Sequence, residues 1–240
     1  MTATTATGKV LIWDWPLRVF HWAFALCILG ALGLACGAEV GSRLFVWHML
    51  LGLAACFLLL IRIFLGFFGG RYNRFPAMLF SPAETARYCW GILTFKPVHY
   101  LAHNPGASLA ALLMYGLLVA LLWTGLKLES ALALAWHRYL AYAFGGIVVA
   151  HFAGVTANAV HSRGEAALAM LHGQRTGATE EGLASSQARM GLAILVLAAL
   201  WIGSLCAHFD AAQGTVTLPV LRCTLQLESA PAETPPPQQP

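Results

Sequence analysis

The sequence is short of charge. Asp, Glu, Lys and Arg together make up 10% of its 240 residues, whereas 59% are hydrophobic. Soluble globular domains carry roughly 25% charged residues, so this composition excludes an ordinary soluble domain and points to a membrane protein. Carboxylates are rarer still, and none falls within the core of a long apolar run. Intramembrane proton relays are usually built with Asp or Glu, so that absence argues against one. The basic residues are scattered, and nothing in them calls for nucleic acid as a partner.

Paired cysteines are also missing. The six cysteines stand singly at 27, 36, 56, 89, 206 and 223. Without CxxC there is no zinc or dithiol signature, and without CxxCH there is no site for covalently attached haem. Cys206 and Cys223 fall near or in the C-terminal tail, where a disulfide is chemically permitted if that tail is periplasmic. The first apolar run begins late and lacks a basic, apolar, small-residue cleavage pattern before it, so it is expected to be retained.

Long apolar runs are what the chain does have. Val19–Ala38, Leu44–Phe68, Ala107–Leu126, Ala131–Val155 and Met190–Phe209 each approach or exceed the roughly 20 residues needed to cross a bilayer. Ten of the 14 Lys and Arg residues precede the first run or lie at or between runs two and three and runs four and five. The positive-inside rule then predicts a cytoplasmic N-terminus, two long cytoplasmic loops and a periplasmic C-terminus. In the first long loop, SPAETARYCWGIL places Ser81, Pro82 and Glu84 at N-cap, N1 and N3 of a short amphipathic helix. HNPGAS, from 103 to 108, sets the start of the third span. The stretch after the fourth span turns polar, and APAETPPPQQP at the C-terminus cannot bury a core and is expected to be disordered. Trp13, Trp15, Trp22, Trp47, Trp123 and Trp136 suit an interfacial aromatic belt.

Histidine placement carries the chemistry. His137 and His151 are fourteen residues apart in HRYLAYAFGGIVVAH, a spacing that brings both to one helix face at levels about 21 Å apart. The fourth span runs from outside to inside, so His137 shares the outer level with His48 of span two and His151 the inner level with His21 of span one. Two neutral imidazoles on opposite faces of a haem iron hold it without a covalent link and leave no open position, as in a b-type electron carrier. Ala141, Ala143, Gly145, Gly146, Ala150, Ala153 and Gly154 allow a flat macrocycle, or equally another helix, to approach closely. The competing explanation is hydrogen-bonded packing. Zinc at either level would need further ligands that the sequence does not supply. His99, His103, His161 and His172 are assigned to cytoplasmic loops and His208 to the outer end of span five, all as solvated or interfacial groups. Arg18, Arg62, Lys127 and Arg138, near span ends, are candidates either for haem propionates or for snorkelling.

WDWPLRVFHW, VWHMLLG followed by LLLIRIFLGFFGGRYNRF, AHNPGASLAALLMYGLL and HRYLAYAFGGIVVAHFAGV together resemble the bacterial cytochrome b561 and nickel-iron hydrogenase b-type cytochrome family over about residues 10 to 175. The resemblance implies an all-α fold: an integral membrane four-helix bundle binding two haem b, here with a fifth transmembrane helix that smaller members lack. Its axial ligands fall on His21, His48, His137 and His151. The expected organisation is a dihaem core over 1–175, a linker and fifth helix over 176–209, and a periplasmic tail over 210–240. The resemblance further implies a multi-pass protein of the bacterial inner membrane, in the respiratory chain, with lipid and quinone as small partners. A periplasmic dehydrogenase, hydrogenase or c-type cytochrome is the implied redox partner. Two other functions remain open, a stand-alone superoxide:quinone oxidoreductase and a haem-free membrane anchor for a periplasmic protein.

Overall fold

The polypeptide, a computed structural model, is described over residues 7–39, 42–96, 98–127, 130–162, 164–211, 213–218 and 222–227. Among these residues are seven α-helices: α1 (Trp15–Gly37), α2 (Arg43–Phe68), α3 (Pro82–Leu93), α4 (Pro105–Gly125), α5 (Ala131–His161), α6 (Glu165–His172) and α7 (Ala188–Ala207). Five of them, α1, α2, α4, α5 and α7, are long and apolar enough to cross a membrane, and they fall on the five apolar runs of the sequence.

Local chemistry sets where these helices begin. The Asp14 carboxylate accepts the Leu17 amide at 3.1 Å, and Pro16 follows in the first turn, where its missing N–H costs nothing. The α1 helix therefore starts four residues before the apolar run does. Ser42 and Asn104 cap α2 and α4 by accepting from Phe45 N at 3.2 Å and Ala107 N at 2.9 Å. Ser81 caps α3 through Glu84 N at 3.1 Å, as its sequence predicts. At its other end α5 continues six residues past the apolar run to His161, because TANAVH supplies no Gly or Pro to stop it.

The spans pack as two hairpins and an outrigger. The α1 helix lies along α2, α4 lies along α5, and α7 rests on α1 and α2. Phe20, Phe24, Cys27 and Ile28 of α1 and Leu50, Ala54, Ala55 and Leu58 of α2 form the buried centre. Gly30 permits the close approach, since a Cβ there would stand 2.8 Å from Leu51 Cδ1. Tyr115 links α4 to α1 through edge-on contacts with Phe20 and Phe24 at 6.4 and 6.1 Å. The outrigger is seated by Gly191, where a Cβ would lie 2.6 Å from Trp15 Cβ, and by Trp201 stacked on Phe57 at 4.8 Å.

Small sheets, which the sequence reading did not anticipate, close both ends. At the N-terminal end β1 (Thr7–Leu11) pairs antiparallel with β2 (Gln174–Ala178), with Thr7 opposite Ala178 and Leu11 opposite Gln174. Gly173 joins α6 to β2 at φ +84°, and its carbonyl accepts from Ile12 N and Trp13 N at 2.8 and 3.0 Å. A side chain there would strike the Trp13 carbonyl. After α7, β3 (Phe209–Asp210), β4 (Thr215–Leu218) and β5 (Cys223–Gln226) form an antiparallel meander that buries Val216 and Leu218. The first part of the tail is thus ordered as strands; its proline-rich end lies outside the described residues. Cys206 and Cys223 are free thiols, so the disulfide that the sequence permits is not formed.

Candidate functional site

The four histidines expected to act together come from three helices, His21 from α1, His48 from α2, and His137 and His151 from α5. His48 and His137 meet face to edge, with ring centroids 6.4 Å apart and planes at 80°. Each ring is anchored through Nδ1. In His48 this nitrogen donates to the Ala31 carbonyl at 2.8 Å, and in His137 it lies 3.0 Å from Thr124 Oγ1. Anchoring one nitrogen of an imidazole to a carbonyl fixes the tautomer and leaves the lone pair on the other, here Nε2 of His48.

The separation suits an ion held between them. Metal–imidazole bonds are about 2.0–2.1 Å long, and adding the distance from each nitrogen to its ring centre puts two such rings roughly 6 Å apart. His21 and His151 are close enough to act on each other electrostatically. His137 and His151 share a face of α5, and Phe144, seven residues from each, is 1% exposed on that face. An apolar wall therefore stands between the two pairs.

Helix packing leaves width where a flat group would sit. Although α5 runs along α4, neither α1 nor α2 is among the elements it packs against closely. A Cβ added at Gly154, three residues from His151 and near its face, would meet nothing within 4 Å. Among the described residues no three His, Cys, Asp or Glu side chains converge on one point. Two imidazoles alone do not complete an iron's coordination sphere, so the group that fits is one bringing its own equatorial ligands, as a porphyrin does.

Other candidates resolve differently. Arg62 is 1% exposed; its Nη1 donates to the Asn73 carbonyl at 2.9 Å, its Nη2 to Met78 Sδ and its Nε to Tyr115 Oη at 3.3 Å. That guanidinium ties α2 to the following turn and to α4, and it neither snorkels nor reaches for a propionate. Arg18 lies over the Trp15 ring at 4.4 Å, Lys127 over Trp123 at 5.7 Å, and Arg138 is exposed.

His103 departs from its solvated assignment. Its Nε2 donates to the Tyr72 carbonyl at 2.7 Å and its ring sits 4.8 Å from Trp13. Burial pushes its pKa down to about 4, against the opposing pull of that hydrogen bond. Beside it Asp14, fully buried, accepts from Asn73 Nδ2 at 2.8 Å, and burial raises its pKa. His161 ends α5 rather than lying in a loop, and its Nδ1 donates to the Ala157 carbonyl at 2.6 Å. Sequence reasoning missed Thr124, Phe144 and the Asp14–Asn73 bond. The heptad spacing His137, Phe144, His151 was a signal for the second; the others depend on contacts between distant segments.

Five transmembrane helices with imidazoles paired across the bundle define a membrane protein of the b-cytochrome class. The chain belongs to the prokaryotic cytochrome b561 family, whose sequence profile matches residues 12–173, a span that contains all four histidines. Comparison with curated proteins and with solved structures returned no match. Membership makes the chain a multi-pass membrane b-type cytochrome that works in electron transfer and binds b-type haem.

Proposed function

We propose that the protein is a dihaem electron carrier of the bacterial inner membrane, passing electrons between a periplasmic redox partner and the quinone pool. The observation that carries this reading is the His48–His137 pair, two anchored imidazoles from different helices at ligating separation. His48 and His137 hold one haem at the periplasmic level, and His21 and His151 hold the other at the cytoplasmic level. The haem iron supplies the one-electron change when bound. The protein's own part is to hold four rings from three helices, two of them anchored through Nδ1, to keep the two levels apart with Phe144, and to exclude water with lipid-facing apolar helices. Residues 1–175 form the electron-carrying core, 176–209 add the linker and fifth helix, and 210–240 form a periplasmic extension. An excess of basic residues on the N-terminal side supports the orientation.

Pyridine haemochrome analysis of the purified protein and of four single His→Ala variants tests the assignment. The wild type should hold two haems per chain and each variant one. The band lost from His48→Ala should match that lost from His137→Ala, and His21→Ala should match His151→Ala. A colourless wild type, expressed with ample haem, overturns the proposal and leaves an anchor for a periplasmic protein. Quinone reduction by superoxide with the purified chain alone would identify a stand-alone superoxide:quinone oxidoreductase instead of a partner-fed carrier.

A further inference from the structure

We propose that Thr124 is a positioning residue for His137, holding its Nδ1–H so that Nε2 presents the lone pair and setting how strongly that ring donates to the outer haem; this rests on the ligand assignment above. The Thr124 hydroxyl has one hydrogen to give, and two backbone carbonyls on its own helix stand ready for it, Ala120 O at 2.9 Å and Leu121 O at 3.2 Å. A threonine on a helix commonly turns its hydroxyl back to the carbonyl four residues earlier. With its hydrogen so used, Oγ1 can only accept from His137 Nδ1, 3.0 Å away. The proton of His137 is thereby assigned to Nδ1.

Gly125 completes the seat. A Cβ there would lie 3.3 Å from His137 Cε1 and 3.6 Å from Nδ1, so the absent side chain lets the ring lie against the end of α4. The site is then asymmetric in a definite way. His48 donates to a backbone carbonyl, Ala31 O at 2.8 Å, whereas His137 faces a hydroxyl that a single substitution can remove, with the Leu121 carbonyl beside it as a second acceptor. Hydrogen bonds from the far nitrogen raise the basicity of an imidazole ligand and commonly cost 10- to 100-fold in metal affinity when lost. A more basic axial ligand favours the ferric state, so removing the bond raises the reduction potential of that haem.

The test uses full-length protein in detergent, with Thr124→Val, Thr124→Ala and Thr124→Ser. Potentiometric titration should show the potential of the haem lost in His137→Ala moving upward in Thr124→Val, while the other haem keeps its value. That same haem should also dissociate at least about 10-fold more readily to apo-myoglobin, and Thr124→Ser, which keeps the acceptor, should restore both properties. If valine disturbs folding and both haems are lost, Thr124→Ala carries the same expectation with less steric demand. Unchanged potentials and haem retention in Thr124→Ala or Thr124→Val overturn the proposal, as does a Thr124→Ser protein that behaves like Thr124→Val. If His137→Ala itself retains both haems, the ligand assignment fails instead.

Discussion

At the scale of single residues, Arg62 and His103 each tie distant segments together through hydrogen bonds. Arg62 distributes its guanidinium among Asn73 O, Tyr115 Oη and Met78 Sδ, and hydrogen bonds to a charged group contribute about 1.5–3 kcal/mol each. Arg62→Leu is therefore expected to lower stability by about 2–3 kcal/mol, read from thermal unfolding in detergent, while haem content at low temperature stays at the wild-type value. Loss of one haem with little loss of stability would instead make Arg62 a propionate partner. His103 makes stability depend on pH. Its folded-state pKa of about 4 lies below the ordinary 6.5, so between those values the unfolded chain takes a proton that the folded chain refuses. Stability from this group is full above about pH 6.5 and lost as pH falls toward 4, in total on the order of 3 kcal/mol. Asp14 works in the opposite sense, because its raised pKa lets the folded chain take up a proton first as acid is added, which offsets part of the loss. His103→Gln keeps the donor to Tyr72 O but cannot titrate, and melting curves from neutral pH to about pH 5 should fall less steeply for it than for the wild type. Parallel slopes for the two proteins would remove His103 from the account.

At the scale of elements, α7 is a separable addition to the bundle. It rests on α1 and α2, on the faces that do not bring the histidines together, and Gly191 is where it touches α1 most tightly. Gly191→Leu forces new atoms against Trp15, an overpacking that costs about 1–3 kcal/mol. The expected result is easier proteolysis of α7 with haem content intact; haem loss in step with α7 release would show that the fifth helix closes the cofactor site. The five spans were legible in the sequence because each apolar run is long and uninterrupted, and the start of α4 was legible because Asn104 and Pro105 have one obvious use. Boundaries that depend on an acidic cap before the run, such as Asp14, shifted by several residues. The β1–β2 pair was not legible, since its strands are five residues each and lie 163 positions apart at their nearest ends, Leu11 and Gln174. No local pattern announces such a pairing; it forms because α1 and α5 bring both segments to the same end. For the site, the shared face of His137 and His151 was read from helix periodicity and the levels of His48 and His21 from the direction of the spans, whereas Thr124 and Ala31 as anchors depend on helix rotation, which composition does not fix.

For the whole molecule, an odd number of spans puts the two small sheets on opposite sides of the membrane, and the basic residues say which side is which. The β1–β2 sheet, α3 and α6 gather at the end rich in Arg and Lys, and the β3–β4–β5 meander follows α7 at the other. Free cysteines lie on both sides, which makes the orientation measurable. Cys36 near the end of α1 and Cys206 near the end of α7 are exposed, as is Cys89 on α3. Single-cysteine proteins in intact spheroplasts should react with a membrane-impermeant maleimide at Cys36 and Cys206 but at Cys89 only after permeabilisation. The reverse pattern would place the His48–His137 level on the cytoplasmic side and with it invert the proposed path of the electron. Labelling of Cys36 and Cys89 from the same side would contradict the span between them, because α2 alone separates their segments. Orientation and electron path thus stand or fall together: the level that faces a periplasmic donor is the level whose helix ends carry Cys36.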